Sequence, residues 1–103
     1  FDNTGTLATG LAIANMAAQA ASVSVVIRDA TGAQIGTGSI SLPVHGHTSF
    51  MLTDAAQGFP ATAGIRGTIS FVTPIGGQIA PLGLRAASIS GGFTITTIPV
   101  LTQ

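Results

Sequence analysis

The residues from Ala21 to Leu42, ASVSVVIRDATGAQIGTGSISL, constrain the fold more than any other stretch. Val23, Val25 and Ile27 alternate with Ser22, Ser24 and Arg28. A period of two sends successive side chains to opposite faces of a pleated strand, so one face is apolar and the other polar. Val26 is the exception and falls on the polar face. Asp29-Ala30-Thr31-Gly32 follows with turn chemistry. An Asp carboxylate accepts from backbone two residues on, and Gly tolerates positive φ. Ile40 and Leu42 resume the apolar face on a return strand. Such a hairpin sets the class as all-β.

The rest of the chain reads the same way. Thr9 to Asn15 is expected to be a strand and Met16 to Ala21 a connection, with a short helix around Asn15 to Ala20 as the alternative. Gly36 and Gly38 in the return strand suggest a bulge or a close approach of another backbone, and Pro43 ends it. Gly46 to Thr53 places Thr48, Phe50 and Leu52 on one face. Asp54 to Gly64 is the longest loop, with Phe59 expected to plug the end of the core. Ile65 to Val72 turns Ile65, Ile69 and Phe71 inward. Gln78 to Ala87 carries Ala80, Leu82 and Leu84 on one face, and Pro81 marks an edge or a bulge there. Phe93 to Ile98 is the last strand, closed by Pro99.

About seven short strands with turn signals between them predict one domain over residues 1–103, an antiparallel Ig-like sandwich of two sheets. A small barrel is the alternative. The Cys and Trp of antibody domains are absent, so "Ig-like" refers to architecture alone.

Covering such strands raises the question of surface. Only 6% of residues are charged, against about 25% in an ordinary soluble domain. Small domains commonly use charge to stay apart from their neighbours. This chain must therefore wear a neutral Ser/Thr coat, be covered by other protein, or combine the two. Three Arg balance three Asp, so no basic patch is available for nucleic acid. No apolar run approaches the roughly 18 residues needed to span a bilayer. There is no cysteine, hence no disulfide or thiolate metal site. The first residue is Phe rather than Met, which suggests a processed protein or a piece of a longer one.

Few residues offer chemistry. His45-Gly46-His47 puts two imidazoles at i, i+2, which can face one side and hold a metal. Zn²⁺ ordinarily takes three or four protein ligands, and His45 and His47 have no third donor nearby in sequence. Two histidines in a loop after Pro43 is the plainer reading. Asp2, Asp29 and Asp54 are the only carboxylates. A glycosidase needs a facing pair, whereas Asp29 and Asp54 sit in turns where Asp bonds local backbone. No Ser lies in a G-x-S-x-G context, and Ser49 beside His47 is a thin basis for a hydrolase. With no Trp or Tyr, the aromatic platform that stacks on sugars or bases is missing. The expectation is a non-enzymatic protein without a cofactor.

The pieces FDNTG, TGLAIAN, VSVVIRDATGAQIGTGSISLP, GHTSFML, RGTISF, LGLR and FTITTIP span nearly the whole chain. Together they resemble Ig-like β-sandwich domains found at the ends of, or repeated within, secreted bacterial surface and filament-forming proteins. The resemblance implies an extracellular or cell-surface spacer, adhesion module or assembly unit, with no catalytic residues to carry over. The expected partners are further copies of the chain, as a homopolymer or as tandem repeats. Low charge leaves sheet edges unprotected. The segments Phe1–Leu7 and Phe93–Leu101 are therefore the candidates for pairing with a neighbour, and Phe1, Leu7, Phe93, Ile95, Ile98 and Val100 are the assembly residues. An adhesin or glycan-binding module using loops in residues 43–64 is the alternative. Type IV pilins also begin with Phe, but they need an acidic fifth residue and a long apolar helix, and Gly5 stands there instead.

Overall fold

The computed structural model describes residues 1–73, 77–89, 92–98 and 100, with the side chains of Ile89 and Phe93 outside that description. The strands are β1 (Leu7–Asn15), β2 (Ala21–Asp29), β3 (Gln34–Leu42), β4 (His47–Met51), β5 (Gly67–Val72), β6 (Ile79–Ile89) and β7 (Gly92–Ile98). They form two antiparallel sheets, one ordered β4-β1-β6-β7 and the other β3-β2-β5. The expected seven-stranded antiparallel sandwich is therefore the observed architecture. An immunoglobulin constant domain puts its second and third strands in different sheets, whereas here β2 and β3 are neighbours. The likeness is one of architecture, not of strand order.

The β2–β3 hairpin is built as its alternation requires. Val23, Val25 and Ile27 are buried, while Ser22 and Ser24 are exposed. At the turn, Asp29 Oδ1 accepts from Thr31 N at 2.9 Å, Thr31 Oγ1 at 2.6 Å and Ala33 N at 3.2 Å. Gly32 takes φ 89°, a conformation that suits a residue without Cβ. Ile27 faces Gly36 and Arg28 faces Gln34, so Ile35 is the extra residue of a bulge. Gly38 is closely approached by a side chain rather than by the backbone expected there. A Cβ there would lie 2.6 Å from Cε1 of Phe59. Phe59 covers that end of the core as expected, its ring meeting Phe50 edge-on with centroids 6.1 Å apart.

Leu11 and Ile13 from β1 pack with Val23, Val25, Ile27, Ile40, Leu42 and Leu52 in one core. Both sheets thus contribute their inner faces. Buried polar groups at the ends of this core are satisfied. Asn3 Nδ2 donates to the Thr62 carbonyl at 3.0 Å, and Asn3 Oδ1 accepts from Thr9 N at 2.8 Å. Asn15 does the same at the opposite end of β1. Met16 to Ala20 forms the connection expected there, without a helix.

The face of Gln78 to Ala87 carrying Ala80 and Leu82 is the outer one. Leu11 and Ile13 point inward, and their partners on β6 are Gly83 and Pro81. Ile79, in phase with those two, packs on the core. Among the described residues Pro81 has only β1 beside it, since the described pairing with β7 begins at Gly83. Within those residues it lies at the expected edge.

Asp29 gives a prediction about acid stability. The hydroxyl of Thr31, then the backbone N–H of Thr31, hold its carboxyl below the ordinary value of 3.8. A folded pKa below the unfolded one stabilises above the unfolded value and is lost as pH falls through the folded value. The hairpin should keep its full stability at neutral pH and lose part of it below about pH 3.8. Asp29→Asn keeps the accepting oxygen but not the charge. Its loss of stability between neutral pH and pH 2, followed by thermal denaturation, should be smaller than that of the unaltered chain. Equal losses would remove Asp29 from the acid response.

Candidate assembly surfaces

Each expected assembly residue has a definite place. Phe1 packs against its own core. Its nitrogen donates to the Gly67 carbonyl at 2.8 Å, and Gly67 N donates back to the Phe1 carbonyl at 3.0 Å. Asn3 N reaches the Ile65 carbonyl at 2.8 Å, and the backbone of Asp2 pairs antiparallel with that of Arg66. The segment before β1 thus lies along the start of β5 and shields that end of the sheet edge. Leu7 opens β1 opposite Ala87. Neither Phe1 nor Leu7 is free to pair with a neighbour while these contacts hold.

The other candidates lie on or beyond β7. This strand pairs with β6 from Gly83↔Ile98 to Ile89↔Gly92, and its far side is a sheet edge. Ile95 is 60% exposed on the outer face of the sheet. Ile98 turns the other way and lies over Gly83, whose Cβ would meet Ile98 Cβ at 3.0 Å. Val100 is exposed beyond the strand. Phe93 pairs with Ser88 by backbone, its side chain lying outside the described residues, as does Leu101.

The sequence of β7, GFTITTI, has no charged residue and no Pro. Natural edges are commonly blunted by Lys, Pro, bulges or shortness. Among the described residues β7 shows none of these devices over its seven positions. The other three edges differ. β4 is five residues long, and β5 is shielded at its start by the segment before β1. β3 is nine residues long and regular from Gly36 to Leu42 beyond its bulge. Among the described residues β7 is therefore the edge without a blunting device, and β3 is open from Gly36 to Leu42 beyond its bulge.

The histidines do not gather a metal site. His45 has φ 54° in the turn from Pro43 to Gly46, where Gly46 N donates to the Pro43 carbonyl at 2.8 Å. His47 begins β4 and is exposed. Among the described residues no group of three His or acidic side chains comes together. Each carboxylate closes a local turn instead. Asp2 accepts from Thr4, Asp29 from Thr31 and Ala33, and Asp54 from Ala56 at 2.7 Å. Hydrogen bonds from the Thr4 hydroxyl and N–H lower the carboxyl pKa of Asp2.

The two loops suggested for glycan binding stand apart. The His45–His47 turn precedes β4, and Asp54 to Gly64 follows it. Five residues of extended strand separate them, about 16 Å at roughly 3.3 Å per residue. A shallow groove of about 430 Å³ lies beside the second loop, between Gly36–Ser39 and Ala56–Ala61. It does not extend to the histidines. Comparison with family models, curated proteins and solved structures finds no match.

Proposed function

We propose that the chain is a non-catalytic structural domain, an assembly unit of a filament or surface layer outside the cell. Copies join when the β7 edge of one adds to an open edge of the next. The observation that carries this reading is the unblocked, uncharged edge of β7. Strand addition supplies main-chain hydrogen bonds along the edge and places alternate side chains against the neighbour. The acceptor is β3, the long open edge of the other sheet. Pairing β7 to β3 joins two different surfaces, so the contact is head-to-tail and extends into fibres when its rotation does not close a ring. The extracellular setting rests on the resemblance to secreted surface domains.

The test is a charged edge. Thr94 and Thr96 are exposed on β7, on the side of the strand away from Ile95. Thr96 faces Arg85 across the ladder, so Thr96→Glu places opposite charges side by side within the fold. Each joint would then place the two new carboxylates of one β7 against the uncharged β3 of the next copy. Thr94→Glu/Thr96→Glu should keep the thermal midpoint and abolish filaments in electron micrographs of concentrated protein. Filaments that persist in this variant would exclude β7 as the joining strand. A closed dimer as the largest species of the unaltered chain would exclude the head-to-tail contact.

A further inference from the structure

The two outer faces of the sandwich have different chemistry. Outward positions of the three-stranded sheet are largely hydroxyl, including Ser22, Ser24, Ser39, Ser41 and Ser70. The outer face of the four-stranded sheet is apolar through its middle, with the polar residues His47, Ser49, Ser88 and Thr97 towards its sides. Down β1 run the small residues Ala8, Gly10, Ala12 and Ala14, and their outward partners on β6 include Leu82 and Leu84. Met51 on β4 and Ile95 on β7 extend the face at its two sides, and Met51, Leu82 and Ile95 are 42%, 44% and 60% exposed.

We infer that this face is the contact surface for a second copy of the chain, packed sheet against sheet. The face carries no Arg or Asp, and its one titratable side chain is His47 on β4. Arg28 and Asp29 belong to the other sheet, Asp2, Asp54 and Arg66 lie off the four strands, and Arg85 points to the opposite side of β6 from Leu84. A charged partner would bury its charges here without counter-ions, at a cost of several kcal/mol each. A second copy brings an equally neutral surface.

Size and relief point the same way. Four strands about 4.8 Å apart, with about seven residues each at 3.4 Å, give a face of roughly 19 by 24 Å. That is about 450 Å² in projection, and with side-chain relief two copies bury about 1,000 Å² together, the lower limit for a specific interface. Met51 lies across Gly10, where a Cβ would meet its sulfur at 3.3 Å and Leu84 Cβ at 3.8 Å. Met51 and Leu84 therefore cover Gly10, and Leu82 stands beside Ala12 in the next row. Turned by a half rotation, a second copy sets its large side chains against the alanines of β1. Such a contact uses the same patch twice and closes as a two-fold dimer. It does not depend on β7 edge pairing.

The test uses the edge-blocked Thr94→Glu/Thr96→Glu chain, in which only face pairing is left. Sedimentation equilibrium should show a reversible dimer with a dissociation constant between about 1 μM and 1 mM. Adding Leu82→Glu, at an exposed position, should weaken it at least about tenfold while the thermal midpoint stays put. Amide shifts of Ala12, Leu82 and Leu84 in the edge-blocked chain should move on dilution, a readout that needs no change to the face. A strictly monomeric edge-blocked chain at about 1 mM overturns the inference, and so does a dimer that Leu82→Glu leaves intact. Binding of the monomer to neutral lipid vesicles would assign the face to a membrane instead.

Discussion

Gly67→Ala should cost about 3 kcal/mol or more, enough to lower the melting temperature by roughly 12–24 °C. Gly67 sits opposite Asp29 at the start of β5, and a Cβ there would land on the backbone carbonyl of Arg28. Backbone cannot swing aside as a long side chain can. The β2–β5 ladder must open, or the strand must shift. Gly67 also exchanges two hydrogen bonds with Phe1, so the shift releases the segment that shields the edge of β5. Hydrogen exchange should then show faster exchange at Asn3 and Gly67, whose N–H groups bond Ile65 and Phe1. A variant within about 1 kcal/mol of the unaltered chain would mean that Gly67 is not held against Arg28.

Asn15→Ala should cost about 3 kcal/mol for a different reason. Asn15 is 2% exposed. Its Nδ2 donates to the Gln19 carbonyl at 2.8 Å and the Pro43 carbonyl at 3.1 Å, and its Oδ1 accepts from Ala17 N at 3.0 Å. One side chain therefore ties the end of β1, the connection to β2 and the end of β3. Truncation leaves at least two carbonyls and one N–H without a partner, at about 1–3 kcal/mol for each group that stays buried. Denaturant titration gives the loss directly. A loss below about 1 kcal/mol would show that water replaces the amide at no great cost.

Local pattern made part of this fold readable. The β2–β3 hairpin could be read from alternation and from Asp29 and Gly32, because both signals act within a few residues. Gly38 announced a close approach but not its kind, since the Phe59 ring and not another backbone lies against it. Strand order was not readable, since β1 pairs with β6 across more than sixty residues without a local signal. The orientation of β6 was hidden for a related reason. Ile79 and Pro81 on one face and Ala80 and Leu82 on the other are all apolar or small, so period two gives no inside or outside. The same ambiguity concealed the apolar outer face of that sheet. Asn15 looked like an interruption of an Ala-rich stretch, while its role as a tie depends on carbonyls 4 and 28 residues away.

The candidate surface was half legible. Scarcity of charge pointed to unprotected edges, and β7 is such an edge. Phe1 and Leu7 carried the same compositional signal, yet they are engaged within their own subunit. Composition cannot separate an apolar residue that seeks a neighbour from one already covered by its own core. The hydroxyl coat that composition allowed is found on the outer face of the three-stranded sheet.

Amide hydrogen exchange of β7, followed as the protein is concentrated from dilute solution into filaments, tests strand addition most directly. An edge strand has alternate N–H groups pointing away from its sheet. In the dilute chain those of Gly92 to Ile98 should exchange freely. In filaments they should become protected, together with the outward N–H groups of β3, while amides of β4 stay unchanged. Filaments in which the β7 amides exchange as fast as in the dilute chain would contradict assembly through this edge.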